Sequence, residues 1–89
     1  NMADTHNRYF LRLQVEDRCG VLAEMTAIFA KYQVSVAQII QKDTKVEGCA
    51  EVVVITEKVR EGDFRTAIEE LRNRDSVRKI STIIRVYGK

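Results

Sequence analysis

The sequence is poor in the residues that build metal centres and disulfide frameworks. Its 89 residues include no proline, no tryptophan, one histidine and two cysteines. Cys19 and Cys49 are far apart in the sequence, no CxxC pair occurs, and His6 lies near the N-terminus. We therefore expect no zinc or copper site built from this chain alone. Two cysteines do not make a disulfide framework, so we expect a reducing, cytoplasmic setting.

Long apolar runs, strong net charge and catalytic sets are also absent. No segment approaches the roughly 20 apolar residues that span a bilayer, and no signal-peptide core stands at the N-terminus. A net charge of +2 does not favour nucleic acid or an anionic membrane as a partner. A single histidine near the N-terminus leaves no Ser/His/Asp or Cys/His set. We therefore expect no catalytic residue in this chain.

The apolar pattern that is present changes between strand and helix periods along the chain. The predicted elements are strand 8–15, helix 21–32, strand 34–40, a hairpin connection at 43–48, strand 50–56, helix 61–74 with Asp63 as N-cap, and strand 77–87. The order β-α-β-β-α-β predicts an α+β, ferredoxin-like fold. In this fold a four-stranded antiparallel sheet carries both helices on one face.

The other face of the predicted sheet has no helix to cover it. It would display apolar side chains from Phe10, Val53 and the last strand, and such a face usually packs on a partner. We assign residues 8–87 to a single domain. Residues 1–7 are predicted to be a disordered tail or an artificial addition, because Asn1 precedes Met2. We therefore expect the chain to be a piece of something longer.

The stretch EDRCGVLAEM, residues 16–25, joins the first strand to the first helix and combines two complementary charges. Gly20 allows the backbone to approach a ligand closely. The free amide groups and the dipole at a helix start favour an anion, such as the carboxylate of an amino acid. Asp17 could take an ammonium group or a hydroxyl. Asp17 could instead cap the helix while Gly20 only makes the turn, and the residues alone leave both interpretations open.

A longer stretch, LRLQVEDRCGVLAEMTAIFAKYQVSV, resembles the first half of an ACT domain. The family hallmark is a strand, then D-x-P-G-V/L-L, a helix and an I-S-I-like strand. Asp17, Gly20, Val21 and Leu22 match this hallmark, whereas Cys19 stands where the family usually has proline. The resemblance extends over residues 8–86. It implies a regulatory domain that binds an amino acid, typically at a dimer interface, and alters an attached enzyme.

Within the family, the run VSVAQIIQ and the terminal IIRVYGK resemble the C-terminal ACT domains of bacterial homoserine dehydrogenases. That resemblance implies threonine as the effector and a homodimer, or a higher oligomer, formed through the sheet. NAD(P) binding and oxidoreductase chemistry would belong to the rest of such an enzyme, with no cofactor in this chain. Two alternatives stay open: an ACT domain of an aspartokinase or a stringent-response synthetase, and a dimerisation module without ligand.

A similarity to the ACT domains of aspartokinases adds a glutamine at a strand end, Gln41, whose amide can both donate and accept hydrogen bonds. The predicted effector-binding residues are Asp17, Arg18, Cys19, Gly20, Val21, Leu22, Gln38 and Gln41. Simple surface exposure is the alternative for Arg18 and Gln41, and a place at an interface is the alternative for Gln38. For Cys19 we consider redox sensing as well as an inert thiol.

Overall fold

A computed structural model describes residues 6–17, 19–43 and 48–86, and it confirms the α+β, ferredoxin-like fold. The elements in chain order are β1 His6–Glu16, α1 Val21–Lys31, β2 Val36–Asp43, β3 Cys49–Thr56, β4 Val59–Arg60, α2 Glu61–Arg72 and β5 Val77–Val86. All strand pairs are antiparallel, and the main sheet has the order β2-β3-β1-β5. Neither helix is long and apolar enough to cross a membrane.

The start of the sheet differs from the prediction by one short strand. β4, which the sequence did not reveal, pairs its two residues with His6 and Asn7 at the start of β1. The sheet therefore has five strands rather than four. For the same reason β1 begins two residues before position 8, so His6 and Asn7 belong to the sheet and not to the predicted tail. The remainder of that tail lies outside the described residues.

The helix ends also differ from the prediction. α1 and α2 stop before their predicted last residues, at Lys31 and Arg72. The prediction that Asp63 is the N-cap of α2 was wrong, because Arg60 occupies that position and no described side chain caps the helix. Asp63 lies within the first turn and pairs with Arg60 across 3.5 Å. β2 begins at Val36 and not at Val34, because the Val34 N–H donates back to the Phe29 carbonyl of α1 at 2.8 Å and pairing with β3 starts only at Val36.

One face of the sheet packs against both helices and forms the core. The alternation in β1 and the three- to four-residue spacing in the helices place their apolar side chains on these facing surfaces. The main buried residues are Tyr9, Leu11, Leu13 and Val15 from β1, Ala50, Val52 and Val54 from β3, Val21, Met25, Ile28 and Phe29 from α1, and Phe64, Ala67, Ile68 and Leu71 from α2.

The opposite face of the sheet carries an apolar strip without a helix above it. Phe10 stands between Ile55 of β3 and Ile84 of β5 in the register, and Ile84 is 51% exposed. Val53, which we expected to be displayed, is only 6% exposed, since longer neighbours flank it across the sheet. The face is thus apolar in its middle, as predicted, but its exposed part lies mainly on the edge strands.

Candidate functional site

The turn between β1 and α1 is exposed and ends in a left-handed glycine. Gly20 has φ 90° and ψ −10°, a conformation that residues with a side chain rarely adopt. A Cβ atom at Gly20 would meet nothing within 4 Å, so the backbone angle and not a lack of space requires glycine here. Asp17 and Cys19 are exposed beside it, and Arg18 lies outside the described residues.

The start of α1 presents backbone amide groups that no described side chain caps. No described side chain caps the helix, so the interpretation of Asp17 as a helix cap was wrong. The first hydrogen bond of the helix runs from the Glu24 N–H to the Gly20 carbonyl at 2.9 Å. The amide groups of the three residues between them precede that bond, and together with the helix dipole they favour an anion.

Two predicted site residues at the start of α1 have side chains committed to the core. Val21 is 2% exposed, and Leu22 packs against the core while remaining half-buried. A ligand at the turn would therefore meet mainly their backbone amides. Asp17 differs from them, because its side chain is exposed while its own N–H donates to the Gly48 carbonyl at 2.9 Å.

The two predicted glutamines lie on opposite faces of β2. Gln41 stands opposite Val52 on the helix-covered face, whereas Gln38 stands opposite Ile55 on the open face. Gln41 is also two strands across the sheet from Leu13, and Asp17 lies four residues beyond Leu13. At about 4.8 Å per strand and about 3.3 Å per residue, their backbones are roughly 16 Å apart. One chain therefore does not bring Gln41 against the turn.

Sequence reasoning missed two residues that hold the turn in place. Gly48 has φ 79°, and its carbonyl accepts a hydrogen bond from the Asp17 N–H. Its position in the predicted hairpin connection was the signal that could have identified it. The Ser76 carbonyl accepts a hydrogen bond from the Glu16 N–H at 2.8 Å, and the residue is 1% exposed. Nothing local in the sequence marks Ser76, because its contacts join residues more than fifty positions apart.

The two cysteines form no disulfide in the part of the chain that the structure describes, and both lie near the end of β1 that leads into the turn. Cys19 is exposed in the turn, and Cys49 is half-buried opposite Glu16 in the β1–β3 register. Cys49 belongs to the open face of the sheet, whereas the turn leads to the helix layer. Among the described residues, no group of three His, Cys, Asp or Glu side chains could hold a metal ion.

A cavity of about 420 Å³ lies between α2 and β5, at the other end of β1 from the turn. Its floor includes Tyr9, whose ring stacks on Phe64 with centroids 3.7 Å apart. Burial, and then the nearby Glu61 carboxylate, raise the pKa of the Tyr9 hydroxyl. Glu61 pairs with Arg65 and, across 3.4 Å, with Arg85. This cavity belongs to the packing of α2 and shares no residue with the turn.

Comparison with known proteins agrees with this geometry. The family model for the ACT domain matches residues 9–75. The chain therefore belongs to the ACT domain family. The ACT domain of GTP pyrophosphokinase from Chlorobium tepidum has the same fold, with a TM-score of 0.62 at 20% identity over 92% of this chain and 100% of that one.

The similarity is greater to a particular group of enzymes. The homoserine dehydrogenase of Synechocystis sp. is 37% identical over 85 residues, which are 96% of this chain and 19% of that protein. A homoserine dehydrogenase from Thiobacillus denitrificans superimposes with a TM-score of 0.81 at 28% identity, over 94% of this chain and 18% of that one. The chain is an ACT regulatory domain related to those of homoserine dehydrogenases, and it spans about a fifth of their length.

Proposed function

We propose that this chain is the amino-acid-sensing part of a homoserine dehydrogenase and that threonine is its effector. The observation that carries the proposal is the start of α1 at Gly20, which no described side chain caps and which lies three residues after the exposed Asp17. The relatives that match nearly the whole chain support the choice of enzyme. Threonine itself rests on the resemblance of the sequence to those regulatory domains.

The turn suits the two charged ends of an amino acid. The amides at the start of α1 would receive the α-carboxylate, because no described side chain caps them and they stand at the positive end of the helix dipole. The Asp17 carboxylate would accept a hydrogen bond from the α-ammonium group or from the hydroxyl of threonine. A ligand with only one of these ends would lose half of the interactions.

A second copy of the chain would complete the site. β2 is an edge strand of the sheet, and Gln41 on it is too far from the turn of its own chain. Packing two copies along this edge would place Gln41 of each copy at the interface between them. Its amide could then donate to the ligand carboxylate or accept from the hydroxyl. We therefore propose a homodimer, formed through the sheet, as the form that senses the effector.

Regulation would follow from linkage. An effector that binds one arrangement of the domains more tightly shifts the attached enzyme towards that arrangement, typically by about 1–3 kcal/mol. The attached enzyme would be an NAD(P)-dependent oxidoreductase acting in the cytoplasm. We propose that the cofactor binds the attached enzyme and not this chain, whose turn holds a single glycine where a dinucleotide fingerprint needs three closely spaced ones.

A dimerisation module without ligand is the second candidate. The exposed apolar strip around Phe10, Ile84 and Val86 on the open face favours it, because such a strip usually packs on another surface. In that function the turn would stay empty, and no amino acid would change the stability of the dimer.

Thermal unfolding in the presence of each amino acid distinguishes these functions. At a hundred times its Kd, a ligand adds about 2.7 kcal/mol, which raises the Tm of a domain of this size by roughly 10 °C or more. We expect threonine to produce this shift, and Asp17→Ala and Gln41→Ala to abolish most of it. Glu69→Ala, an exposed carboxylate on α2, and Lys42→Ala, the neighbour of Gln41 on the opposite face, are matched controls.

The outcomes separate the candidates. A shift with another amino acid, lost in Asp17→Ala, keeps the sensor and replaces the effector. A dimer in sedimentation whose Tm responds to no amino acid favours the dimerisation module and contradicts the sensor. A threonine shift that survives Asp17→Ala places the ligand away from the turn.

A further inference from the structure

One buried residue from a distant loop holds both sides of the turn. Ser76 lies between α2 and β5 and is 1% exposed. Its carbonyl accepts the N–H of Glu16, the last residue of β1, at 2.8 Å. Its hydroxyl donates to the carboxylate of Glu24, in the first turn of α1, at 2.6 Å. Glu16 before the turn and Glu24 after it are thus both hydrogen-bonded to Ser76, the first through the Ser76 carbonyl and the second through its hydroxyl.

A neighbouring arginine completes this attachment. The Arg74 guanidinium donates to the same Glu24 oxygen at 3.0 Å, and this hydrogen bond raises the pKa of Arg74. The loop that carries both residues is closed by a hydrogen bond from the Val77 N–H to the Arg74 carbonyl at 3.1 Å. Glu24 is therefore held by two side chains of this loop, and Arg74 balances its charge there.

The position of the Glu24 carboxylate matters because it is an anion in the first turn of a helix. A carboxylate there is attracted by the same amides and dipole that would receive the carboxylate of a ligand. The bonds to Ser76 and Arg74 direct it towards the α2–β5 loop, and none of the described side chains caps α1. Whether the amides at the start of α1 stay accessible to a ligand thus depends on the hydrogen bonds that hold the Glu24 carboxylate at the α2–β5 loop.

We propose that Ser76 is a positioning residue for the turn: its hydroxyl keeps Glu24 off the amides of α1, and its two bonds fix the turn in the conformation that presents those amides. The consequence for effector affinity rests on the function proposed above. A hydrogen bond to a charged group contributes enough to change an equilibrium constant by about tenfold or more. Loss of the Ser76 hydroxyl should therefore loosen the turn and weaken binding by about that factor.

The test uses variants of the 89-residue chain at a temperature where each is fully folded. Ser76→Ala removes the hydroxyl and keeps the backbone bond to Glu16, while Ser76→Thr retains the hydroxyl. Ser81→Ala removes an exposed hydroxyl on β5 and is the matched control. The first measurement is ¹⁵N relaxation of the backbone amides, which needs no ligand. We expect order parameters at residues 19–23 to fall in Ser76→Ala from about 0.85 towards 0.6, with α2 unchanged.

Rescue separates positioning from general loss of stability. Ser76→Thr should restore the order parameters, and Ser81→Ala should leave them as in the unchanged chain. If the added methyl of Ser76→Thr prevents folding, Glu24→Gln takes its place, since its amide oxygen can still accept from the Ser76 hydroxyl. Order parameters at the turn that do not change in Ser76→Ala, or that fall equally throughout α2, would overturn the proposal.

Threonine binding by calorimetry then tests the consequence. We expect about tenfold weaker binding in Ser76→Ala and nearly unchanged binding in Ser81→Ala. Equal affinity in Ser76→Ala despite a loosened turn would overturn the link between Ser76 and the effector. If the unchanged chain binds no threonine, the proposed effector fails, and the relaxation data alone decide whether Ser76 positions the turn.

Discussion

The two helices of this domain start in different electrostatic settings, although both follow a strand and neither is capped by a side chain that the structure describes. α1 begins after Gly20, with its only first-turn acid, Glu24, tied to a distant loop. α2 begins after Arg60, whose φ of −63° suits any residue, and its first turn carries Glu61 and Asp63. The start of α2 is thus supplied with negative charge by its own sequence, whereas that of α1 is left open.

This difference shows that a helix start becomes available to a ligand through the placement of nearby charges. Glu61 is largely buried and paired with Arg65 and Arg85, so an outside anion would meet a carboxylate there. At α1 the equivalent acid is drawn away by Arg74 and Ser76. The same kind of strand-to-helix junction therefore serves packing in one place and is suited to recognition in the other.

The largest expected effect concerns how firmly each helix start is anchored. Phe64, in the first turns of α2, is 4% exposed and stacks on Tyr9. Phe64→Ala should lower the free energy of unfolding by about 3–5 kcal/mol, because it leaves a large cavity. Val21→Ala, at the start of α1, should cost roughly 2 kcal/mol, since it removes less buried surface.

Urea unfolding followed by circular dichroism measures both variants. If Phe64→Ala does not fold, Phe64→Leu should still cost more than a volume-matched change on the exposed face of α2. Equal costs for Phe64→Ala and Val21→Ala would contradict the view that the start of α2 is packed more firmly than the start of α1.

The sequence predicted the fold because most of the chain follows one periodicity at a time. The alternating residues of β1 and the regularly spaced apolar residues of α1 are buried in the structure as predicted, since both pack into one continuous core. β4 was missed because two residues carry no periodicity, and their strand exists through pairing with His6 and Asn7. Asp63 was misassigned as a cap because an acid near a helix start suits either the N-cap or the first turn.

The candidate site was predictable only in part. Gly20 could be identified from the turn because its role is local, and the structure gives it the positive φ that glycine permits. The contributions of Ser76 and Arg74 could not, because they act across fifty residues and depend on how the α2–β5 loop packs. That Gln38 and Gln41 lie on opposite faces of the sheet became clear only from the register of β2 against β3.

A smaller effect is expected at the backbone of the open junction. Gly20→Ala should lower the free energy of unfolding by about 1–2 kcal/mol, because a left-handed conformation costs that much for a residue with a Cβ. Gly20→Asn should cost less, since asparagine tolerates this conformation better. Arg60→Ala, at the corresponding position before α2, should cost below about 1 kcal/mol, because its φ is ordinary and its ion pair is exposed.

Chemical unfolding of the three variants provides the measurement. An added Cβ at Gly20 meets no neighbouring atom, so steric clash is not a competing explanation. A neutral result for Gly20→Ala would mean that the turn can change its conformation freely, and the contrast between the two junctions would then lose its backbone component.

The smallest effect lies at the opposite ends of the helices, where α1 and α2 are joined by a polar contact. The Tyr32 hydroxyl donates to Glu70 at 2.5 Å and the Lys31 ammonium group donates to the same oxygen at 3.0 Å. The bond from Tyr32, followed by that from Lys31, lowers the pKa of Glu70. A carboxyl group whose pKa is lowered by folding stabilises the fold above its ordinary pKa and loses that contribution as the pH falls through the lowered value.

Tyr32→Phe should therefore move the pKa of Glu70 back towards its ordinary value in an NMR titration and make the domain less sensitive to acid between these two values. The ring stays, so packing is kept, and the turn at the other end of α1 should bind its effector as before. A Tyr32→Phe variant with weakened effector binding would show that the two ends of α1 are coupled, and the open junction could no longer be treated as a local property of its own charges.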